Sequence, residues 1–342
     1  MLGPSGLWSP ERPYLNTASF GLPPQPAWEA FQTALDDWRH GRTSWEHWAE
    51  ATNASREAFA RLVGVPADRV AAGSTVSQFV GVIAASIPDG ARVVIPEIDF
   101  ASLLFPFLVH EQRLDVVTVP LDRLADAVDE LTDLVAFSAV QSSNGQVADV
   151  DAVLRAAAAN EALTILDATQ ACGWLPLDAS RFDALVCATY KWLLCPRGTA
   201  FLTVSERLQT QTEPLLAGWY AGGDVYSSYY GRPLRLADTA RRFDTSPAWF
   251  DWVATAPAIE TLLAIGIQAI HDHDVGLANR FRAGLGLESS DSAIVSTDVP
   301  GAAEKLTAAG ILASVRAGSL RASFHAYNTE DDVDAALTAL LG

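Results

Sequence analysis

Short apolar runs rich in β-branched residues recur through the first two thirds of the chain, alternating with stretches whose apolar positions return every three or four residues. The runs RVAAG (from residue 69), ARVVIPE (91), LDVVTVP (114), DLVAFSAV (133), LTILDAT (163), ALVCATY (184) and TAFLTVS (199) predict seven strands. Helical spacing in TVSQFVGVIAASI after the first run and DVDAVLRAAAANEA before the fifth predicts crossover helices. The strands themselves do not alternate apolar with polar, as expected of a largely parallel sheet covered on both faces. Ahead of the sheet, PPQPAWEAFQTALDDWRH and WEHWAEATNASREAFARLV read as two amphipathic helices, the first opened by prolines.

The pattern changes after about residue 206. A Gly/Tyr-rich loop, AGWYAGGDVYSSYYGRP, precedes one long helix predicted around TAPAIETLLAIGIQAIHDH. The remaining segment carries strands in SAIVSTDV and LRASFHAY and a last helix in TEDDVDAALTALLG, with Thr329 as its N-cap and acidic residues in its first turn. These features predict an α/β protein with a large domain over 14–250 and a smaller α+β domain over 251–342 that takes in residues 1–13.

Composition narrows the partners. A net charge of −18 over 342 residues opposes nucleic-acid phosphates and anionic membrane surfaces, leaving small molecules or other chains. The longest apolar run, FASLLFPFLV, falls well short of the ~20 residues a membrane-spanning helix needs, and the N-terminus lacks a basic-then-apolar export pattern. Three cysteines, Cys172, Cys187 and Cys195, sit in apolar segments and fit free thiols in a reducing cytoplasm.

In a doubly wound sheet, ligands bind beyond the carboxyl ends of the strands, which makes strand-end residues the informative ones. After the first strand, Gly73, Ser74 and Thr75 open a helix that can hold a phosphate, although a hydroxyl there also serves as a simple cap. The fourth strand leads into QSSNGQ, where Asn144 offers an amide. The fifth ends at Asp167 with Gln170 three residues on. The sixth ends with Thr189 and Tyr190 and is followed by Lys191, set among Trp192, Leu193 and Leu194. Lys191 is one of only two lysines in the chain, and a desolvated ammonium loses its proton readily. Each of these residues alone admits a structural explanation: snorkelling, capping or turn bonding. Together they supply a phosphate seat, a carboxylate, amides and a nucleophilic amine. Pyridoxal phosphate (PLP) asks for these groups: an amine for its aldehyde, a carboxylate for its ring nitrogen and donors for its phenolate oxygen.

LDATQACGWLPLD followed by ATYKWLLCPRGTAFL resembles the cofactor region of class V aminotransferases and cysteine desulfurases, within the type I fold of PLP enzymes. YLNTASFG, GSTVS, EIDFASLLFPF, VQSSNGQ, RRFDTSPAWF and LRASFHAYNTEDDVDAAL occur in the family's order, so the resemblance covers most of the chain. It implies that Lys191 joins the cofactor covalently and later shuttles the α-proton, that Asp167 pairs with the ring nitrogen, and that Gln170 and Asn144 bond the phenolate oxygen. Ser74, Thr75 and Thr189 would bind phosphate, with Tyr190 standing where many members have histidine. Ser246 matches a position that reaches the neighbouring subunit's phosphate, which implies a homodimer with shared active sites. Arg321 matches the arginine that grips the substrate carboxylate.

Two departures bear on the chemistry. Phe100 replaces the histidine that stacks on the cofactor ring; it can stack but cannot transfer protons. The segment ASVRAGSLRASF is short and carries no cysteine where desulfurases have their catalytic one, so a persulfide-forming desulfurase is not expected. The activity expected is that of an aminotransferase on an α-amino acid. A β-eliminating carbon-sulfur lyase or an epimerase is the alternative, and a non-catalytic PLP or ligand-binding protein the reading from another class. Trp45, Trp48, Trp219 and Tyr220 are read as core anchors, not site residues.

Overall fold

The computed structural model describes residues 2–3 and 6–342; Met1, Pro4 and Ser5, which belong to the segment expected to join the small domain, lie outside the described residues. All seven predicted strands form, the first five separated by helices and the last three following one another without an α-helix between them: α1 (Gln25–Arg39), α2 (Trp45–Val63), β1 (Val70–Gly73), α3 (Val76–Ser86), β2 (Arg92–Pro96), α4 (Ala101–Leu108), β3 (Asp115–Val119), α5 (Leu124–Ala127), β4 (Thr132–Ser138), α6 (Val150–Ala159), β5 (Leu163–Asp167), β6 (Ala184–Ala188), β7 (Ala200–Val204) and α7 (Glu206–Gln211). They build one sheet in the order β1-β7-β6-β5-β4-β2-β3. The central strands β5, β6 and β7 are buried at every position, which is why their sequences show no alternation. β7 runs antiparallel to both its neighbours, β6 and β1. The connection 189–199 is too short to carry a crossover helix, so the chain can only turn back on itself there. That turn carries Lys191.

Beyond the sheet lie α8 (Trp249–Ile265), α9 (Ile267–Gly284), β8 (Ile294–Thr297), α10 (Ala302–Ala308), β9 (Ser314–Arg316), β10 (Ser319–Ser323) and α11 (Glu330–Leu341), with β8-β10-β9 forming a second antiparallel sheet. The single long helix expected around residues 255–273 is two helices bent by 80° at Gly266, whose φ of 94° is a conformation that side chains with a Cβ rarely adopt. α8 packs along α1 and α2. A separate small core begins with Leu277 on α9 and includes Phe281, Leu320, Phe324 and Val333. Leu15 joins that core, and residues 14–16 pair in parallel with Leu312 and Ser323. The early chain thus crosses between the two sheets beside the lysine turn. Thr329 caps α11 in a full capping box with Asp332. No single helix among the described residues is long and apolar enough to cross a membrane.

Candidate active site

The lysine turn is clamped from several sides. Gly21 donates its N–H to the Tyr190 carbonyl at 2.9 Å, and a Cβ at Gly21 would collide with the Lys191 carbonyl oxygen. Gly173, with φ of 113°, lies equally close to the Trp192 carbonyl. Trp192 Nε1 donates to Gln170 Oε1 at 2.7 Å, and its carbonyl lies 2.9 Å from Nε2 of His325, just after β10. His325 Nδ1 in turn faces the fully buried Asp274 at 3.0 Å. Held this way, the Lys191 side chain projects into a cavity of about 390 Å³ at the carboxyl ends of the parallel strands.

Lys191 is 5 % exposed, and burial pulls its amine down to about 8, against the opposing pull of Asp167. Its Nζ stands 5.1 Å from the centre of the Phe100 ring and 5.8 Å from that of Tyr190. Asp167, at the tip of β5, is 4 % exposed and pushed up to about 6 by burial, opposed by hydrogen bonds from Thr169. Its Oδ1 accepts from Thr169 N at 2.9 Å, which leaves Oδ2 for a ligand.

The sign of the Asp167 shift sets a test. A carboxyl whose pKa is raised on folding adds stability that is fully present below about 3.9 and is lost as pH rises through about 6. Asp167→Asn therefore raises the stability of the cofactor-free protein by roughly 2–3 kcal/mol at pH 8, with the gain vanishing near pH 4. Thermal melts at the two pH values check this, and a pH-independent difference would contradict the assignment.

Ser74, Thr75, Phe100, Gln170 and Tyr190 line the same cavity as Lys191 and Asp167. Thr75 is both cap and candidate ligand: its Oγ1 accepts from Gln78 N at 3.2 Å and lies 3.4 Å from Ser77 Oγ. Gln78 Oε1 takes Ser74 N at 3.0 Å, fixing the loop that opens α3. Gln170 spends both amide hydrogens on Ala18 O (3.0 Å) and Ser142 Oγ (2.9 Å), so a ligand oxygen must displace one of them.

Arg321 is 1 % exposed and lies just behind the cavity wall. It donates to the Ser142 carbonyl, to Ser142 Oγ at 3.2 Å and to Ser19 Oγ at 2.7 Å. Its Nε finds no partner, and burial together with nearby Arg316 lowers its pKa to about 10.

Besides Arg321, three expected contacts lie outside the cavity. Thr189 is fully buried on the other side of the turn, donating to Thr199 O at 3.0 Å; alternation along the chain sends Ala188 and Tyr190 toward the cavity and Thr189 away. Asn144 sits at a turn, where its Oδ1 accepts from Gln146 N at 3.0 Å, and it lines a neighbouring groove. Ser246 is exposed ahead of α8, away from this chain's cavity. Trp45 and Trp219 are packed edge to face at 5.5 Å between α2 and the 219–230 loop, also outside the cavity.

Residues not singled out from the sequence complete the site. Ser142 joins Gln170 to Arg321. Asp99 accepts from Phe100 N (2.6 Å), Ser138 Oγ (2.5 Å), Ser138 N (2.9 Å) and Gln141 Nε2 (3.0 Å), pinning Phe100 to the end of β4. Arg197 lines the cavity with its guanidinium 4.8 Å from the centre of the Tyr190 ring. Ser142 and Asp99 both follow strand ends, the signal that would have found them.

A clamped, desolvated lysine, a buried strand-end carboxylate, an aromatic ring beside the amine and a polar helix start on one cavity fit pyridoxal phosphate, and the fold and site define a PLP-dependent enzyme of fold type I. A family model for aminotransferase class-V matches residues 37–304, and the chain belongs to that family. Among curated relatives, it is 26% identical over 332 residues to the uncharacterized aminotransferase YcbU of Bacillus subtilis (strain 168), covering 90% of this chain and 88% of the relative. It is 27% identical to a probable cysteine desulfurase of Methanothermobacter thermautotrophicus, covering 79% and 71%. Among solved structures, the complex between the cystine C-S lyase C-DES and its reaction product cysteine persulfide superposes with a TM-score of 0.86 at 19% identity, covering 96% of this chain and 97% of that one.

Proposed function

We propose that the protein is an aminotransferase acting on an α-amino acid whose carboxylate is held by Arg321. The observation that carries this reading is that Lys191 is, among the described residues, the single amine on the cavity wall, with a pKa of about 8 that suits it to take and return a proton near neutral pH. Bound there, pyridoxal phosphate supplies an electron sink for charge developing at the substrate's α-carbon. Lys191 Nζ would remove the α-proton, Asp167 would keep the ring nitrogen protonated, and the start of α3 with Ser74, Thr75 and Arg197 would hold the phosphate. Phe100 shields one side of the amine from water without adding a second base, which favours transfer by one group over a two-base epimerisation. The coverage of the YcbU relative, an aminotransferase by name, supports the same choice.

All three cysteines are buried free thiols, and burial pushes the Cys195 thiol up to about 12; none is placed to act as a nucleophile on a mobile loop. That burial also suits the reducing cytoplasm proposed for the protein. The exposed position of Ser246 suits contact with the cavity of a second copy, and a homodimer with shared sites is part of the proposal.

The purified holoenzyme is to be mixed with a panel of amino acids. Aminotransfer releases one equivalent of keto acid per site with no free ammonia, and a second keto acid restores the starting absorbance. Pyruvate and ammonia from cysteine or a cysteine conjugate would instead identify β-elimination. No spectral response to any amino acid would favour a binding protein.

A further inference from the structure

The hairpin that carries Arg321 carries a second guanidinium on the same face. In the β9-β10 register, Arg316 stands opposite Ser319 and Ser314 opposite Arg321. The pleat therefore turns Arg316, Ser314 and Arg321 to one side. The turn between the strands is tight, with Ala317 at φ 49° and Gly318 at φ 89°, so the two arginines cannot drift apart along it. Both converge on one atom: Ser19 Oγ accepts from Arg321 Nη2 at 2.7 Å and from Arg316 Nη2 at 3.1 Å.

Two like charges are thus gathered on a neutral hydroxyl. Neither has a carboxylate within ion-pair distance among the described residues. Glu97 and Asp122 line the groove that Arg316 enters, and Asp298 is bonded by Ser319, yet none of the three pairs with Arg316. In a chain of net charge −18, such a cluster marks a local site for anions on a surface that otherwise repels them. Arg321 is buried beside Ser142 on the cavity wall, and Arg316 is exposed on the solvent side of Ser19. One anionic group at Arg321 therefore leaves Arg316 facing a second group further out.

We infer that the site takes a short dicarboxylate, with Arg321 receiving the carboxylate next to the reacting carbon and Arg316 the distal one. This rests on the amino-acid site proposed above. The same chemistry belongs to an acidic amino acid as amino donor or to a dicarboxylic keto acid as acceptor.

The test is calorimetric titration of the holoenzyme with succinate and with propionate, which carry the carboxylates without an amine. Succinate is expected to bind at least roughly tenfold more tightly than propionate. Arg316→Gln should collapse that preference, Arg316→Lys should restore part of it, and Arg321→Gln should weaken both ligands. Succinate binding no tighter than propionate, or a preference indifferent to Arg316→Gln, would overturn the inference. Turnover then separates the sources. A KM raised by Arg316→Gln for aspartate or glutamate assigns the donor, and one raised for oxaloacetate or 2-oxoglutarate assigns the acceptor. Failure of borohydride to fix cofactor on Lys191 would sink the underlying reading instead, and the same titrations of the cofactor-free protein would then still read the two arginines.

Discussion

Replacing Lys191 by alanine lowers turnover by about three orders of magnitude or more while the protein stays folded. The amine occupies a position no other side chain can fill. The Gly21 and Gly173 contacts fix its backbone, and among the described residues the cavity wall carries no second amine, while its one carboxylate, Asp167, is the group proposed to face the ring nitrogen. Loss of the side chain should not harm the fold, because burial disfavours the charged amine and its removal relieves that cost. The pH dependence follows from the same shift. Only the neutral amine attacks an aldehyde, so borohydride-trapped incorporation of pyridoxal phosphate at Lys191 should rise roughly tenfold per pH unit below about 8 and level off above it. An ordinary exposed lysine would keep rising toward about 10.4. Peptide mapping of the trapped protein across pH 6–10 checks the profile, with circular dichroism of Lys191→Ala as the control for folding. A variant that retains turnover would show that Lys191 is not the reacting amine, and a profile that climbs past pH 9 would show that burial does not lower its pKa.

Strand-end reasoning singled out Lys191, Asp167, Ser74 and Thr75, and the four line one cavity because each lies at or just after an apolar run that the sheet buries, so the fold delivers them to one edge. The same reasoning failed where direction is decided within a turn. Thr189 and Tyr190 are adjacent in sequence, but only one can face the cavity, and Asn144 is consumed by its own turn. The break at Gly266 left a glycine as its only trace in an apolar stretch whose helical spacing continues on both sides. Ser142 and Asp99 act through partners far away in sequence, such as Arg321, Gln170 and Ser138, and a linear pattern carries no record of such pairings, whereas Arg197 lies over the ring of nearby Tyr190. The antiparallel β7 was readable in principle from the short 189–199 connection.

The second large effect lies in the scaffold under the phosphate seat. Asp244→Ala is expected to cost about 3–5 kcal/mol of stability, because it strands a buried charge. β1 is an edge strand of the large sheet, paired only with β7, and its free edge needs partners for its peptide groups. Asp244 and Arg56 provide them. Asp244 Oδ1 accepts from Ala72 N at 2.7 Å, Arg56 Nη1 donates to the Val70 carbonyl, and the two side chains pair at 2.6 Å with 0 % and 5 % side-chain exposure. Thr245 N adds a bond to Ala72 O at 3.3 Å. Removing the carboxylate leaves Arg56 without its anion and Ala72 N without its acceptor, two buried losses at once. Replacing both partners with apolar residues, as in Arg56→Met with Asp244→Leu, removes the stranded charge and should recover part of the loss. Because Ala72 lies two residues before Ser74, Asp244→Ala should also weaken cofactor retention, whereas Lys191→Ala removes the chemistry and keeps the fold. Urea unfolding of the single and double variants, with cofactor occupancy measured in parallel, distinguishes the two roles. A single variant as stable as the parent protein would mean that the edge of β1 is held by something other than this ion pair.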